Sequence, residues 1–244
     1  MDTLRRRPRV GMKPSRRLQP GSQQLVVAAD AAGRLCLRDA DHPRRGAICI
    51  DWSSAGLRRR IVAGRGQALA RALGLQRRRG ARIADLTAGL GRDGFVLAAL
   101  GARVTMIERQ PLIHALLADA LARALTDPAL RAAAARVELI HADARDWLAA
   151  APAPDAVYLD PMYPDHGRSA LPAGELQWLR RACGDDADAG ALLAPALAAA
   201  ARVVVKRPRR APPLAGVKPQ ACIRTAQVRF DLYLHPVKVG TCAD

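Results

Sequence analysis

From Leu25 onward the apolar positions come in short bursts cut by turn residues. Leu25-Val26-Val27-Ala28, Arg34-Leu35-Cys36-Leu37 and Ala47-Ile48-Cys49-Ile50-Asp51 predict three strands of a small antiparallel sheet. Gln67–Leu75 has helical spacing and runs into Gly74 and the basic cluster Arg77-Arg78-Arg79. Beyond it the period switches repeatedly. Ala81–Leu86 is an apolar strand leading to a glycine loop, Gly94–Leu100 is helical and stops at Gly101, and Arg103–Glu108 is again a strand. Pro111–Ala124 is a helix opened by proline, where no N–H is needed. Arg136–His141, Asp155–Asp160 and Arg202–Lys206 are further strands, with a helix over Ala191–Ala200 despite Pro195. The tail, Ala221–Gln227 and Val228–Leu234, reads as two adjacent strands. Strands alternating with helices predict an α/β fold with a mostly parallel sheet, helices on both faces and a C-terminal antiparallel hairpin at the edge.

A chain of 244 residues, half of them apolar, buries one full core with a small appended subdomain. We divide it into a basic disordered arm (1–22), a small β-rich substrate-binding subdomain (23–80) and the α/β domain (81–244). The longest apolar stretch, Ala189 to Val205, is broken by Pro195 and Arg202, and the basic N-terminus has no apolar run behind it. A membrane span and secretion are therefore not expected, and a cytoplasmic location is. Cys36, Cys49, Cys183, Cys222 and Cys242 form no C-x-x-C pair and read as reduced structural thiols. Neither they nor the five histidines have metal-ligand spacing, so no metal is expected.

Charge changes this picture. The net charge is +17, but residues 1–82 hold 20 of the 39 basic residues and only five of the 22 acidic ones. A coding bias toward arginine would act on the whole chain. The asymmetry points instead to a polyanion partner for the N-terminal third, because clustered guanidiniums pair phosphates bidentately. Arg58-Arg59-Arg60 with Arg65, in Gly64-Arg65-Gly66, is the candidate phosphate grip, and Lys206 in Val205-Lys206-Arg207 is a second basic candidate.

Two segments carry chemistry. Asp85-Leu86-Thr87-Ala88-Gly89-Leu90-Gly91-Arg92-Asp93-Gly94 follows a strand and opens a helix, so Gly89, Gly91 and Gly94 allow a tight turn and close backbone approach to a nucleoside cofactor. Glu108, at the end of the next strand, can accept both ribose hydroxyls, an arrangement that also fits NAD. Asp85, placed to meet an ammonium, and Asp143, placed to accept from an adenine amine, tilt the choice to S-adenosylmethionine; Asp143 serves equally well as a helix cap. The second segment, Asp160-Pro161-Met162-Tyr163-Pro164, ends a strand where open α/β sheets bind ligands. The Asp160 carboxylate and the Pro161 carbonyl can hold the two N–H bonds of an exocyclic amine, and Tyr163 can stack on the base for about 1–3 kcal/mol.

These blocks, with Glu108-Arg109, Leu139-Ile140-His141-Ala142, Val203–Pro208 and Ala211-Pro212-Pro213-Leu214, resemble the bacterial ribosomal RNA small subunit methyltransferase J family from about Leu25 to Leu234. The resemblance implies a class I S-adenosylmethionine-dependent, Rossmann-like methyltransferase domain acting on N2 of one guanosine in 16S rRNA. By position it implies cofactor contacts at Arg92, Asp93, Glu108, Arg109, Asp143, Ala144 and Asp160. The arginine-rich arm before Gln23 and the Asp143-Ala144 pair depart from the family pattern. Competing readings are a DNA adenine-N6 methyltransferase and a non-catalytic RNA-binding ribosome-assembly factor. A dehydrogenase is disfavoured, because no positioned His or Tyr–Lys pair is present to serve hydride transfer.

Overall fold

The computed structural model describes residues 25–42, 46–162 and 189–234. The basic arm and the Tyr163-Pro164 half of the second segment lie outside the described residues. The three N-terminal strands form as expected: β1 (Leu25–Ala29), β2 (Leu35–Asp39) and β3 (Ala47–Cys49) make an antiparallel sheet in that order. Helix α1 (Ala55–Val62) was not anticipated, since it carries three consecutive arginines and buries only Leu57. Helix α2 (Ala68–Ala72) follows a 3-10 turn at Gly64–Gly66.

The remaining elements alternate: β4 (Arg82–Asp85), α3 (Arg92–Ala99), β5 (Arg103–Glu108), α4 (Pro111–Thr126), α5 (Arg131–Ala134), β6 (Val137–His141), α6 (Ala144–Ala150) and β7 (Ala156–Leu159). After the undescribed segment come α7 (Leu193–Ala199), β8 (Arg202–Pro208), β9 (Ala221–Arg224) and β10 (Val228–Leu234). The seven-stranded sheet runs β6-β5-β4-β7-β8-β10-β9. The first five pair in parallel, and β10 is antiparallel to both β8 and β9, which is the expected terminal hairpin. Pro195 is accommodated because it falls in the first turn of α7, where its missing N–H has no intrahelical role.

The apolar runs reflect burial on both faces of this sheet. Along β7, Ala156 and Tyr158 enter one core cluster while Val157 and Leu159 enter the other, the two-residue period of a strand covered on both sides. The first cluster also contains Leu37, Ile48, Ile50 and Trp52, so the small sheet shares its core with Phe95 and Leu117. Trp52 stacks on Phe95 with ring centroids 4.5 Å apart. Helix α4 anchors the small sheet further: Asp119 accepts the Leu35 N–H at 3.2 Å, and Arg123 donates to the Ile50 carbonyl at 2.7 Å.

One expectation is overturned here. Cys36 and Cys49 are joined in a disulfide, not held as separate thiols. They lie 13 residues apart in the chain, and the antiparallel register of β2 and β3 sets them directly opposite each other. Cys222 is free and exposed. No helix among the described residues is long and apolar enough to cross a membrane.

Candidate active site

The strand order reverses beside β4, with β5 on one side and β7 on the other, and the glycine loop crosses that point. Its backbone is tied to both neighbours: the Leu86 N–H donates to the Tyr158 carbonyl at 3.0 Å, and the Ala88 N–H to the Ile107 carbonyl at 3.2 Å. Gly91 sits at the left-handed position before α3 with φ +67°. A Cβ there would lie 2.7 Å from Leu117 Cδ2 and 2.8 Å from Trp52 Cζ2, so conformation and space both demand glycine. The Glu108 carboxylate ends β5 against this loop, accepting the N–H of Gly89 at 3.0 Å and of Gln110 at 2.8 Å.

A charged cluster fills the space between α1, α3, β7 and β8, with Asp93 in the first turn of α3 as its hub. One Asp93 oxygen accepts from Arg60 at 2.5 Å; the other accepts from the Tyr158 hydroxyl at 2.5 Å and from the Lys206 ammonium at 3.1 Å. Lys206 also donates to Asp160 at 2.7 Å, and the Asp160 N–H donates to the Thr87 hydroxyl at 2.6 Å. The base-clamp segment is thereby stitched to the cofactor loop.

Burial and neighbouring charge divide these acids. Burial pushes Asp93 up, but Lys206 and Arg60 outweigh it and hold the group well below the usual carboxylate range. Burial raises Asp160; Lys206 draws it back and the Asp93 charge pushes it up, leaving it above its ordinary value. Asp85 is 2% exposed. Burial, followed by the Asp93 charge, pushes Asp85 up to about 8. Burial alone would lower Lys206, yet Asp160 and Asp93 together hold it above its ordinary value. Tyr158, buried and beside Asp93, is raised well above 10.0 and stays a hydrogen-bond donor.

Asp85, Gly89, Gly91, Arg92, Asp93, Glu108, Arg109, Asp160 and Pro161 all gather at the carboxyl end of the parallel strands. Lys206 joins them, its ammonium directed at carboxylates inside the site. Asp143 caps α6: it accepts the Arg145 N–H at 2.8 Å and pairs the Arg145 guanidinium at 2.9 Å, which holds it at about 2. Ala144 is buried in the first turn of that helix. Arg58 and Arg59 are exposed on α1, while Arg60 turns inward to Asp93. Arg65 is engaged elsewhere, donating twice to the Leu100 carbonyl (2.9 and 2.7 Å) at the far end of α3. That contact ties the 3-10 turn at Gly64–Gly66 to the end of α3. Tyr163 falls outside the described residues. Sequence reasoning missed Thr87 and Tyr158; a tyrosine in the otherwise apolar run Ala156–Leu159 was the available signal for the second.

Residues 14–235 match the family model described as "Putative SAM-dependent methyltransferase". The chain is 50% identical over 198 residues to ribosomal RNA small subunit methyltransferase J of Laribacter hongkongensis, covering 79% of this chain and 70% of that one. It is 48% identical over 217 residues to the same-named protein of Thioalkalivibrio sulfidiphilus, covering 86% and 84%. The chain belongs to the ribosomal RNA small subunit methyltransferase J family. A crystal structure of a SAM-dependent methyltransferase from Neisseria gonorrhoeae is similar, with TM-score 0.69 and 32% identity over 93% of this chain and 87% of that one. The fold is thus the class I methyltransferase fold, the protein is an enzyme of methyl transfer, and its cofactor is S-adenosylmethionine. The site fits that cofactor. At Gly91 and Gly94 a Cβ would strike Leu117, Trp52 and Met106, so only glycine lets the loop turn this tightly against the core, and the carboxylates of Asp85 and Glu108 stand at the loop entry and at the end of β5.

Proposed function

We propose that this protein transfers a methyl group from S-adenosylmethionine to the exocyclic N2 of a specific guanosine in 16S rRNA of the small ribosomal subunit. The observation that carries the reading is the Thr87–Asp160–Lys206 linkage, which fastens an amine clamp to the edge of the cofactor loop. The family supplies the reaction class, and the names of the relatives supply the RNA.

When bound, the cofactor supplies a methyl group on a sulfonium, already activated for nucleophilic attack. The chain's part is to hold and orient. Asp85 meets the ammonium group, Glu108 accepts from the ribose, and the backbone at Gly89 and Gly91 lets the cofactor come close, with Arg92, Asp93, Arg109, Asp143 and Ala144 completing the pocket. An exocyclic amine is a poor nucleophile because its lone pair is delocalised into the ring. Asp160 and the Pro161 carbonyl accept its two N–H bonds and favour the tetrahedral nitrogen of the transition state. Lys206 fixes the Asp160 carboxylate, and Tyr163 stacks on the base. Alkylation makes the remaining amine proton acidic, so no strong base is required. Residues 23–80 serve the RNA: Arg60 anchors α1 beside the site while Arg58 and Arg59 face outward. The enzyme works in the cytoplasm, where its substrate is made.

The test is incubation with labelled S-adenosylmethionine and small ribosomal subunits lacking the modification, followed by digestion and nucleoside analysis. Label in N2-methylguanosine is the expected result. Label only with duplex DNA, in N6-methyladenine, would replace this reading with that of a DNA enzyme. Cofactor binding with RNA binding but no label in any nucleoside would favour an assembly factor.

A further inference from the structure

Four of the five parallel strands carry an arginine at or just before their first residue, at the end away from the site. Arg82 begins β4, Arg103 begins β5, Arg202 begins β8, and Arg136 immediately precedes β6. Arg77-Arg78-Arg79 leads into β4. Parallel strands all start at one edge, so the topology collects these arginines on the face opposite Asp160. Arg82 and Arg103 are register partners, and Arg78 and Arg82 converge on Asp155 at 3.1 and 3.7 Å.

What each guanidinium touches divides the set. Arg202 donates to the Ala72 carbonyl, Arg136 to the Ala132 carbonyl and Arg82 to the Ala153 carbonyl, so these three hold the fold together. Arg77, Arg79 and Arg103 are exposed, and their side chains make no hydrogen bond or ion pair with any described residue. An arginine kept to cap a helix or balance Asp155 would be seen in contact with it. Three unpaired guanidiniums on one face instead form a fork array suited to phosphate oxygens.

We propose that this face is a second RNA-binding surface that grips backbone phosphates of the rRNA at a place distant from the target guanosine. The inference rests on the rRNA methyltransferase reading above. The five residue steps along β5 from Arg103 to Glu108 separate the two faces by about 17 Å at roughly 3.3 Å per residue. A large folded RNA reaches both faces at once, and a short strand seated in the site does not.

The experiment compares the full-length protein with the Arg77→Gln/Arg79→Gln/Arg103→Gln variant in equilibrium binding to full-length 16S rRNA across a salt series. Cofactor affinity and melting temperature serve as fold controls. The expected result is an affinity for rRNA at least about tenfold weaker near 0.1 M salt, with unchanged cofactor affinity and a log–log salt slope shallower by about two. Unchanged affinity and slope would overturn the proposal. A loss seen only with assembled subunits and not with naked rRNA would also overturn it, by assigning the face to an acidic protein. Should the predicted binding loss appear while the wild type places no label in N2-methylguanosine, the surface stands and the catalytic reading falls.

Discussion

The Lys206 ammonium lies 2.7 Å from the Asp160 carboxylate, on the adjacent parallel strand, and its second partner is Asp93 at 3.1 Å. One cation thus holds together two acids that would otherwise repel, in a pocket that also contains Asp85 and Glu108, with Arg60 on the far side and Tyr158 donating to Asp93. Replacing it by methionine leaves burial and the Asp93 charge opposed only by the weaker pull of Arg60, so the Asp160 carboxyl is pushed further up. The Lys206→Met enzyme is expected to lose at least about tenfold in rate near neutrality. Initial rates against pH should show its acid limb moved to higher pH, with partial recovery under alkaline conditions and cofactor affinity little changed. A uniform loss with an unmoved limb would reduce Lys206 to a packing role.

Asp85 and Asp93 give opposite pH signatures to stability. Asp85 is raised in the folded protein to about 8 from an ordinary 3.8. Its contribution is fully present below the unfolded value and is lost as pH rises toward the folded one. Asp85→Asn should therefore gain on the wild type between about pH 4 and 8 and then run parallel to it. Asp93 is depressed by Lys206 and Arg60 against the opposing effect of burial. It stabilises above the unfolded carboxylate value and loses that effect as pH falls through the folded one, so Asp93→Asn should be the weaker protein at pH 7 and converge with the wild type in acid. Urea unfolding of both variants at several pH values decides the signs.

The Cys36–Cys49 bond closes a short loop between β2 and β3, with a sequence separation of 13. Loop-closure entropy for this length is worth roughly 3 kcal/mol. The double serine variant should melt lower than the oxidised protein and match the reduced one. Mass spectrometry without reductant should find the wild type lighter by two hydrogens, and two free thiols at these positions would contradict the bond.

Much of this architecture was legible because period and punctuation agree. The alternation of β4 to β8 with helices, the glycine loop, Glu108 at a strand end and Asp160 at another are local patterns, and the sheet order places them at one edge. What stayed hidden depends on register and side-chain direction. Nothing near Arg65 in the chain signals that its guanidinium reaches Leu100, and nothing near Cys36 signals Cys49. Helix α1 was invisible because its apolar face is only Leu57 and the half-buried Ile61 around three consecutive arginines, and Arg60 ties it to Asp93 through a contact between residues 33 apart. For Lys206 the chain left both the site and the RNA backbone open; in the fold its ammonium donates to Asp160 and Asp93, while Arg209 and Arg210 beyond the strand stay exposed.

Gly91 offers a clean separation of backbone strain from packing. Alanine at Gly91 would have to hold φ +67° with its Cβ 2.7 Å from Leu117 and 2.8 Å from Trp52. Gly33 has a similar φ of +76°, but nothing lies within 4 Å of a Cβ there. Gly33→Ala should therefore cost only the left-handed penalty of about 1 kcal/mol, or roughly 2–4 °C in melting temperature. Gly91→Ala adds overpacking of about 1–3 kcal/mol against a core that includes the Trp52–Phe95 stack. Relief by shifting the loop would move Gly89 away from Glu108 and drag the cofactor cradle with it. The Gly91 variant should melt several degrees below the Gly33 variant and bind S-adenosylmethionine at least about tenfold more weakly, whereas the Gly33 variant keeps wild-type affinity. Calorimetric titration and thermal unfolding of the pair check both parts. Equal melting temperatures would mean that Leu117 and Trp52 yield freely, and that the glycine is required by the backbone alone.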